Sequence, residues 1–252
     1  MGRFAHGGSE ICYEDTGSGD PVLLIPGWAG SVESMRFLSA KLAANYRVIA
    51  ADPPGSGQSG PQPRTYTKSY YHDDARSFLA LLESLSAGPA HLVGFSDRGE
   101  YELVMAEMQP GAVRSIAAWG TAGQLQAPPE MIDAFATMID SPFEAMEGLS
   151  EYLKATYGEA NARIMAQSTA NAYSEIIAAG GDISLSRAGE ISCPVLLIAG
   201  EHDFVATPAL VTQLVAAIPG VQYMEVKGAS HEVQATHEEW LTQTIVDWLA
   251  KQ

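Results

Sequence analysis

The sequence predicts an α/β fold: a mostly parallel, doubly wound sheet with a helical lid inserted between two of its strands. Three observations carry this expectation. Short, near-continuous apolar runs recur along the chain, helix-period segments lie between them, and the stretch 121–188 holds helical segments but no convincing strand. Apolar runs without alternation are what strands look like when helices cover both faces of a parallel sheet.

In order, the runs at 22–25, Arg47–Ala51, 91–94, Val113–Trp119, 195–199 and Gln222–Val226 read as strands. The segment 10–14 reads as an antiparallel edge strand pairing with 3–6. Between them, Tyr71, Ala75, Phe78, Leu82 and Leu85 recur at spacings that fall on one face of a helix. Thr207 followed by Pro208 supplies an N-cap and a proline at the first helical position. Thr236 and Glu239 fit a capping box opening the last helix, whose buried stripe is Leu241, Ile245, Trp248 and Leu249. Strands alternating with helices in this way give an open, doubly wound sheet.

The lid breaks the alternation. Its helical segments fall at 129–138, 145–157 and 161–178, too long in sum for a connecting loop. The expected organisation is a core made of 1–120 and 189–252, with 121–188 as an inserted helical lid (cap).

Composition narrows the function classes. With 252 residues, 46% of them hydrophobic and 17% charged, the chain has enough material for a full core without staples. A net charge of −16 and a pI near 4.6 oppose nucleic acid and anionic membrane surfaces, whose phosphates repel an acidic protein. Cys12 and Cys193 lie far apart and in no metal-ligand spacing, so reduced thiols and no metal are expected. The opening residues hold no apolar run of signal-peptide length, and nothing approaches the roughly 20 apolar residues of a membrane span. The expectation is a cytoplasmic protein whose partner is a small-molecule substrate, with the oligomeric state open.

The chemistry gathers around Ser96. His91-Leu92-Val93-Gly94-Phe95-Ser96-Asp97-Arg98-Gly99 reads as an apolar strand, a sharp turn centred on serine, and a helix from Gly99 to Met108. Such an elbow lifts a serine hydroxyl clear of a sheet, and small residues let strand and helix approach. Gly94 is one of them; Arg98 stands where the second glycine usually sits, and Gly99 follows it. Serine needs a base to remove its proton, and the base needs a carboxylate to orient it. Asp203 follows the strand at 195–199, and His231 follows the strand Gln222–Val226. Ser96, Asp203 and His231 thus come in nucleophile–carboxylate–histidine order, each one loop beyond a strand, at the edge where ligands bind in open α/β sheets. Ile25-Pro26-Gly27-Trp28-Ala29-Gly30 follows the first long apolar run. The backbone N–H groups of Trp28 and Asp97 are the candidate oxyanion hole.

These segments resemble the α/β-hydrolase superfamily over essentially the whole chain. The Pro-Gly-Trp-Ala-Gly loop, the Gly-Phe-Ser-Asp elbow, the Ala-Ala-Trp-Gly strand end and the His231 loop are similar to the valacyclovirase, or biphenyl-hydrolase-like, branch. The resemblance implies an α/β-hydrolase fold and a serine hydrolase that cleaves small carboxylic esters through an acyl-enzyme on Ser96, with no cofactor. Relatives with this fold also cleave lactones, amides, thioesters and carbon–carbon bonds, and a small-molecule receptor retaining the triad is a further alternative. In that branch an aspartate after the nucleophile goes with α-amino acid esters, which makes Asp97 a candidate substrate-binding residue.

Blander readings stand beside these. A carboxylate at a helix N-terminus is favoured by the helix dipole whatever the substrate, so Asp97 has a structural role available. Trp119, a second candidate substrate-binding residue, and Trp28 are expected to line the pocket or to lie in the core. Met131, Met138, Met146 and Met165 are expected to fill the lid. His202 and His237 read as surface residues, His6, His72 and His91 as structural or surface ones, and Glu201 as a poorer orienter than Asp203. Arg98, the departure from the family pattern, is expected to leave the turn and pair at the surface with Asp97, Glu100, Glu102 or another carboxylate. The alternative sends it to the pocket mouth to hold an anionic group.

Overall fold

Apolar runs become strands throughout. In chain order these are β1 (Gly2–His6), β2 (Ser9–Gly17), β3 (Pro21–Ile25), β4 (Arg47–Ala51), β5 (Ala90–Phe95), β6 (Val113–Trp119), β7 (Val195–Gly200) and β8 (Gln222–Val226). The computed structural model describes residues 1–252, apart from the side chain of Ala145. The strands form one eight-stranded sheet in the order β1-β2-β4-β3-β5-β6-β7-β8. β1 and β2 are antiparallel, as is the β2–β4 pair, and β4 through β8 run parallel.

Between the strands lie α1 (Arg36–Leu42), α2 (Tyr70–Ser84) and α3 (Asp97–Met108), then α4 (Pro129–Thr137), α5 (Glu147–Tyr157) and α6 (Glu159–Ala178), and finally α7 (Pro208–Ala217) and α8 (Val233–Leu249). The central strands β3 to β7 are buried on both sides. Leu23, Leu92, Ile116 and Leu197 face one core, closed by Phe78 and Leu82 of α2 and Leu103 of α3. Leu24, Val93, Ala117 and Leu196 face the other, closed by Leu38 and Leu42 of α1 and Leu241 and Ile245 of α8. Successive strand residues point to opposite faces, so two covered faces require an apolar residue at nearly every position. This is the α/β-hydrolase fold that the motifs imply.

Thr207 caps α7 as expected, accepting the Leu210 N–H at 3.4 Å with Pro208 at the first position. The last helix differs from expectation. It opens at Val233 instead of after Thr236, and its backbone leaves the helical region at His237 (φ −133°, ψ 36°). Burying Val233 anchors the chain immediately after the His231 loop, and the Thr236 hydroxyl lies 2.8 Å from His237 Nδ1.

Helices α4, α5 and α6 lie between β6 and β7, and a small apolar cluster of their own includes Met138, Leu153, Tyr157, Ala162 and Met165. Among the described residues, no helix is long and apolar enough to cross a membrane. Both ends of this insertion are tied to one side chain. Glu100, buried on α3, accepts the N–H groups of Ala122 (3.0 Å) and Gly123 (2.8 Å) and the Ser184 hydroxyl (3.4 Å).

Burial pushes the Glu100 carboxyl up to about 7 against its ordinary 4.5, although the two backbone N–H groups oppose the rise. Burial acts in the same sense on Glu102 and lifts Glu107 to about 8. The native protein therefore holds these protons where the unfolded chain has released them, and stability falls as pH rises from about 4.5 to 7. Urea unfolding across that window is expected to show the decline. Glu100→Gln keeps an oxygen for the two amides, and is expected to remove Glu100's share, roughly 1–3 kcal/mol.

Candidate active site

Ser96 sits at the carboxyl end of β5 with φ 59° and ψ −131°, a conformation unusual for a residue with a Cβ. Three hydrogen bonds hold it there. Its N–H donates to the Trp119 carbonyl (2.8 Å), and its carbonyl accepts the Gly99 N–H (2.9 Å) and the Thr121 hydroxyl (2.9 Å). The neighbours must be small. A Cβ on Gly94 would come within 2.5 Å of the Glu102 carboxylate, and one on Gly99 within 2.0 Å of the Thr121 hydroxyl oxygen.

The elbow aims the Ser96 hydroxyl at a histidine. Ser96 Oγ lies 2.8 Å from His231 Nε2, and His231 Nδ1 lies 2.9 Å from Asp203 Oδ2. Asp203 is buried after β7, and its other oxygen accepts the N–H groups of Val205 (2.8 Å) and Ala206 (2.9 Å). That fixes the carboxylate and leaves Oδ2 for the ring. With Nδ1–H donated to Asp203, Nε2 is the lone-pair nitrogen facing Ser96. The structure thus joins the three residues, from the ends of β5, β7 and β8, into one hydrogen-bonded chain.

Ser96 and His231 open into a pocket of about 150 Å³ walled by Trp28, Phe95, Leu125, Met131, Phe135 and Phe204, with Asp97 and Glu232 among its few polar groups. Among the described residues, no Lys or Arg lines it. The N–H groups of Trp28 and Asp97, both at this pocket, donate to no protein acceptor among the described residues. The Asp97 side chain is by contrast fully engaged. It accepts the hydroxyls of Tyr70 (2.8 Å), Tyr71 (2.9 Å) and Tyr173 (3.0 and 3.1 Å to its two oxygens).

A sequence model of the alpha/beta hydrolase fold matches residues 20–156, more than half of the chain. The chain belongs to the alpha/beta hydrolase fold family. The human serine hydrolase BPHL is 28% identical over 216 residues, spanning 80% of this chain and 69% of that protein. A 2-hydroxy-6-oxononadienedioate/2-hydroxy-6-oxononatrienedioate hydrolase of Paraburkholderia phymatum is 27% identical over 274 residues, covering 97% of this chain and 93% of its own. A malate-bound thermophilic esterase from Thermogutta terrifontis shares the fold, with TM-score 0.77 at 22% identity over 100% of this chain and 99% of that one. By family and relatives the chain is a hydrolase.

Other residues of this hydrolase depart from expectation. Trp119 does not line the pocket. It is fully buried in the core under α8, stacked on Phe95 at 5.5 Å, with its indole N–H given to Gln234 (2.8 Å). Its ring packs on the α8 side of the sheet against Phe95, which itself lines the pocket. Trp28 does line the pocket, its indole N–H held by Thr169 of α6 (3.1 Å). Met131 and Met146 are pocket residues, while Met138 and Met165 are buried in the insertion's own cluster. Tyr173 and Phe135 carry no motif, and a lone aromatic on a helix gives no sign that it faces a pocket. Glu201 serves the loop, accepting the Gly228 N–H at 2.9 Å, and His202 is exposed. His91 is buried, 2.8 Å from Ser115 Oγ.

Arg98 is neither at the surface nor in the pocket. α3 packs between the sheet and α2, so position 98 points inward, and the side chain is fully buried over the Tyr101 ring, 4.6 Å from its centroid. It donates to the Tyr101 hydroxyl, which in turn donates to Asp74 (2.6 Å). Asp74 is already clasped by both terminal nitrogens of Arg64 at 2.7 Å. Arg98 Nε and Nη2 have no protein partner among the described residues. Gly99, one position on, provides the close approach to β6 that Arg98 cannot.

The two arginines are therefore unequal. Arg64→Met strands the buried Asp74 carboxylate and is expected to cost about 3–5 kcal/mol. Arg98→Met removes a largely unpaired charge and is expected to leave stability within about 1 kcal/mol of wild type or to raise it. Chemical denaturation of both variants measures the difference.

Proposed function

We propose that this hydrolase cleaves a small, uncharged carboxylic ester through an acyl-enzyme on Ser96. The observation that carries the reading is the unbroken chain Ser96 Oγ–His231–Asp203, with contacts of 2.8 and 2.9 Å. As Oγ attacks the ester carbon, its proton moves to His231 Nε2, and the imidazolium so formed faces Asp203 at Nδ1. The carbonyl oxygen becomes an oxyanion that accepts the Trp28 and Asp97 N–H groups, charge that develops only on attack. His231 then protonates the leaving alkoxide. Water enters, gives its proton to His231, and releases the acid by the same route.

The pocket supports a short, uncharged acyl group. Its volume is small and its walls are aromatic and aliphatic, so little beyond a short chain is enclosed. Two carboxylates and no cation among the described residues oppose a substrate carboxylate, such as the dianionic one in the name of the Paraburkholderia relative. This favours ester cleavage over carbon–carbon cleavage of a diacid. Three tyrosine hydroxyls already occupy Asp97, which favours a structural role for its side chain over recognition of a substrate ammonium.

A fluorophosphonate probe followed by peptide mapping is expected to label Ser96, and Ser96→Ala and His231→Ala are each expected to lower kcat by about 10⁴–10⁶-fold. Label elsewhere, or binding without multiple turnovers as in a receptor, would overturn the reading. In a panel of chromogenic esters matched in length, acyl chains ending in a carboxylate are expected to be at least about tenfold poorer in kcat/KM than neutral ones, since a buried carboxylate facing like charge loses more than 1.4 kcal/mol. Equal rates would count against the uncharged-substrate assignment.

A further inference from the structure

We propose that Tyr157, on helix α5 of the insertion, is a positioning residue for the oxyanion hole, so that the hole is complete only while the insertion is docked. The inference rests on the acyl-enzyme reading above and concerns what holds the Trp28 N–H in place.

The loop after β3 makes a tight turn in which the Gly30 N–H donates to the Gly27 carbonyl at 2.9 Å. Ala29, third in that turn, has φ 56°. This bond and this positive φ are those of a type II turn, whose third position is normally glycine. The turn aims the Trp28 amide. The Gly27–Trp28 peptide is planar and trans, so a Gly27 carbonyl directed into the turn sends the Trp28 N–H out of the opposite side. Alanine in the left-handed region costs roughly 1–2 kcal/mol, so a turn built on it persists only where its surroundings over-determine it.

Those surroundings come from the insertion. The Ala29 carbonyl accepts the Tyr157 hydroxyl at 2.6 Å and the Tyr152 hydroxyl at 3.1 Å. The Tyr157 oxygen accepts in turn the Gly57 N–H at 2.9 Å, joining the loops after β3 and β4 through one hydroxyl. The Ala29 methyl is buried in the insertion's cluster with Leu153 and Met165. The Trp28 indole is held by Thr169 of α6. Burial raises the Tyr157 hydroxyl above its ordinary range, so it keeps the proton it donates and remains both donor and acceptor at any working pH. The core supplies the turn's covalent path, and the insertion supplies the contacts that fix its strained residue.

The test compares wild type with Tyr157→Phe, which keeps the ring and removes only the hydroxyl. Three readouts are taken: steady-state kinetics on a short p-nitrophenyl ester, inhibition by a trifluoromethyl ketone of equal acyl length, and amide hydrogen exchange over residues 26–30. The ketone captures Ser96 Oγ as a hemiketal whose oxygen occupies the hole. The expected result is a kcat reduced about 10–100-fold with KM within about threefold, below the 10²–10³ for losing a donor outright. Ketone affinity falls by the same factor as kcat/KM, and exchange in 26–30 quickens. Adding Ala29→Gly to Tyr157→Phe is expected to restore part of kcat, because glycine takes a positive φ without strain.

A folded Tyr157→Phe with unchanged kcat and unchanged ketone affinity overturns the proposal, and so does a change confined to KM, the mark of simple packing. Should Tyr157→Phe fail to fold, Tyr152→Phe and Thr169→Val each remove one bond to the loop; smaller losses of kcat and ketone affinity support the proposal, and none overturns it. A wild type that neither turns over the ester nor captures the ketone overturns the acyl-enzyme reading and this inference together. An active wild type with an indifferent Tyr157→Phe overturns the inference alone.

Discussion

The backbone of Ser96 lies where an L-residue costs about 1–3 kcal/mol, and the site exists only because the sheet forces it there. Its N–H reaches the Trp119 carbonyl because Phe95 pairs with Trp119 in the β5–β6 register. Slipping that register by one residue would remove the bond and turn Phe95 and Trp119 to the wrong face. Its carbonyl is satisfied by Gly99 and Thr121, which meet only because residue 99 has no side chain. The strain thus leans on the register of two central strands, and that register leans on the two cores beneath them.

The surroundings of α3 follow from the same constraint. The helix must start at the serine and run back between the sheet and α2, so its early residues are buried whatever their chemistry. Acidic side chains in its first turn gain from the helix dipole, which suits Asp97 and Glu100. Both also join elements: Asp97 gathers hydroxyls from α2 and α6, and Glu100 binds the two ends of the insertion. Glu102 gains no partner among the described residues, and burial alone raises its carboxyl well above the ordinary range. Among the described residues, Arg98 has only the Tyr101 hydroxyl and ring. A helix fixed by its first residue leaves the fold little freedom over where its next few side chains point.

The sequence made legible what depends on local pattern and strand edges. The apolar runs located the central strands because two covered faces leave no alternation to misread. Ser96 and Asp203 stood out because each follows such a run within a few residues, and His231 because it follows the edge strand β8; the sheet then carries all three strand ends to one edge. Side-chain direction was not legible. Arg98 breaks the glycine pattern, and a surface ion pair is a reasonable expectation for a charged residue, yet only the packing of α3 against α2 reveals that it points inward. Trp119 stands at a strand end like the candidate triad residues, but its ring packs against Phe95 in the core on the α8 side of the sheet. Tyr157 and Tyr173 had no signal, since their partners Ala29 and Asp97 lie far away in sequence and meet them only through the docking of the insertion.

Ser96 and Ala29 are two non-glycine residues with positive φ at the candidate site, one carrying the hydroxyl and the other next to the Trp28 N–H. They are restrained from opposite directions. Ser96 is held from below by the end of β6, Thr121 and the first turn of α3. Ala29 is held from above by α5, and its neighbour Trp28 by α6. The same insertion contributes Met131, Phe135 and Tyr173 to the pocket wall. One inserted element therefore both walls the pocket and fixes the turn that carries the Trp28 N–H. Under the proposed acyl-enzyme reading, substrate fit and stabilisation of the oxyanion depend on the same packed helices. Selectivity in such a design acts on the chemical step as well as on binding.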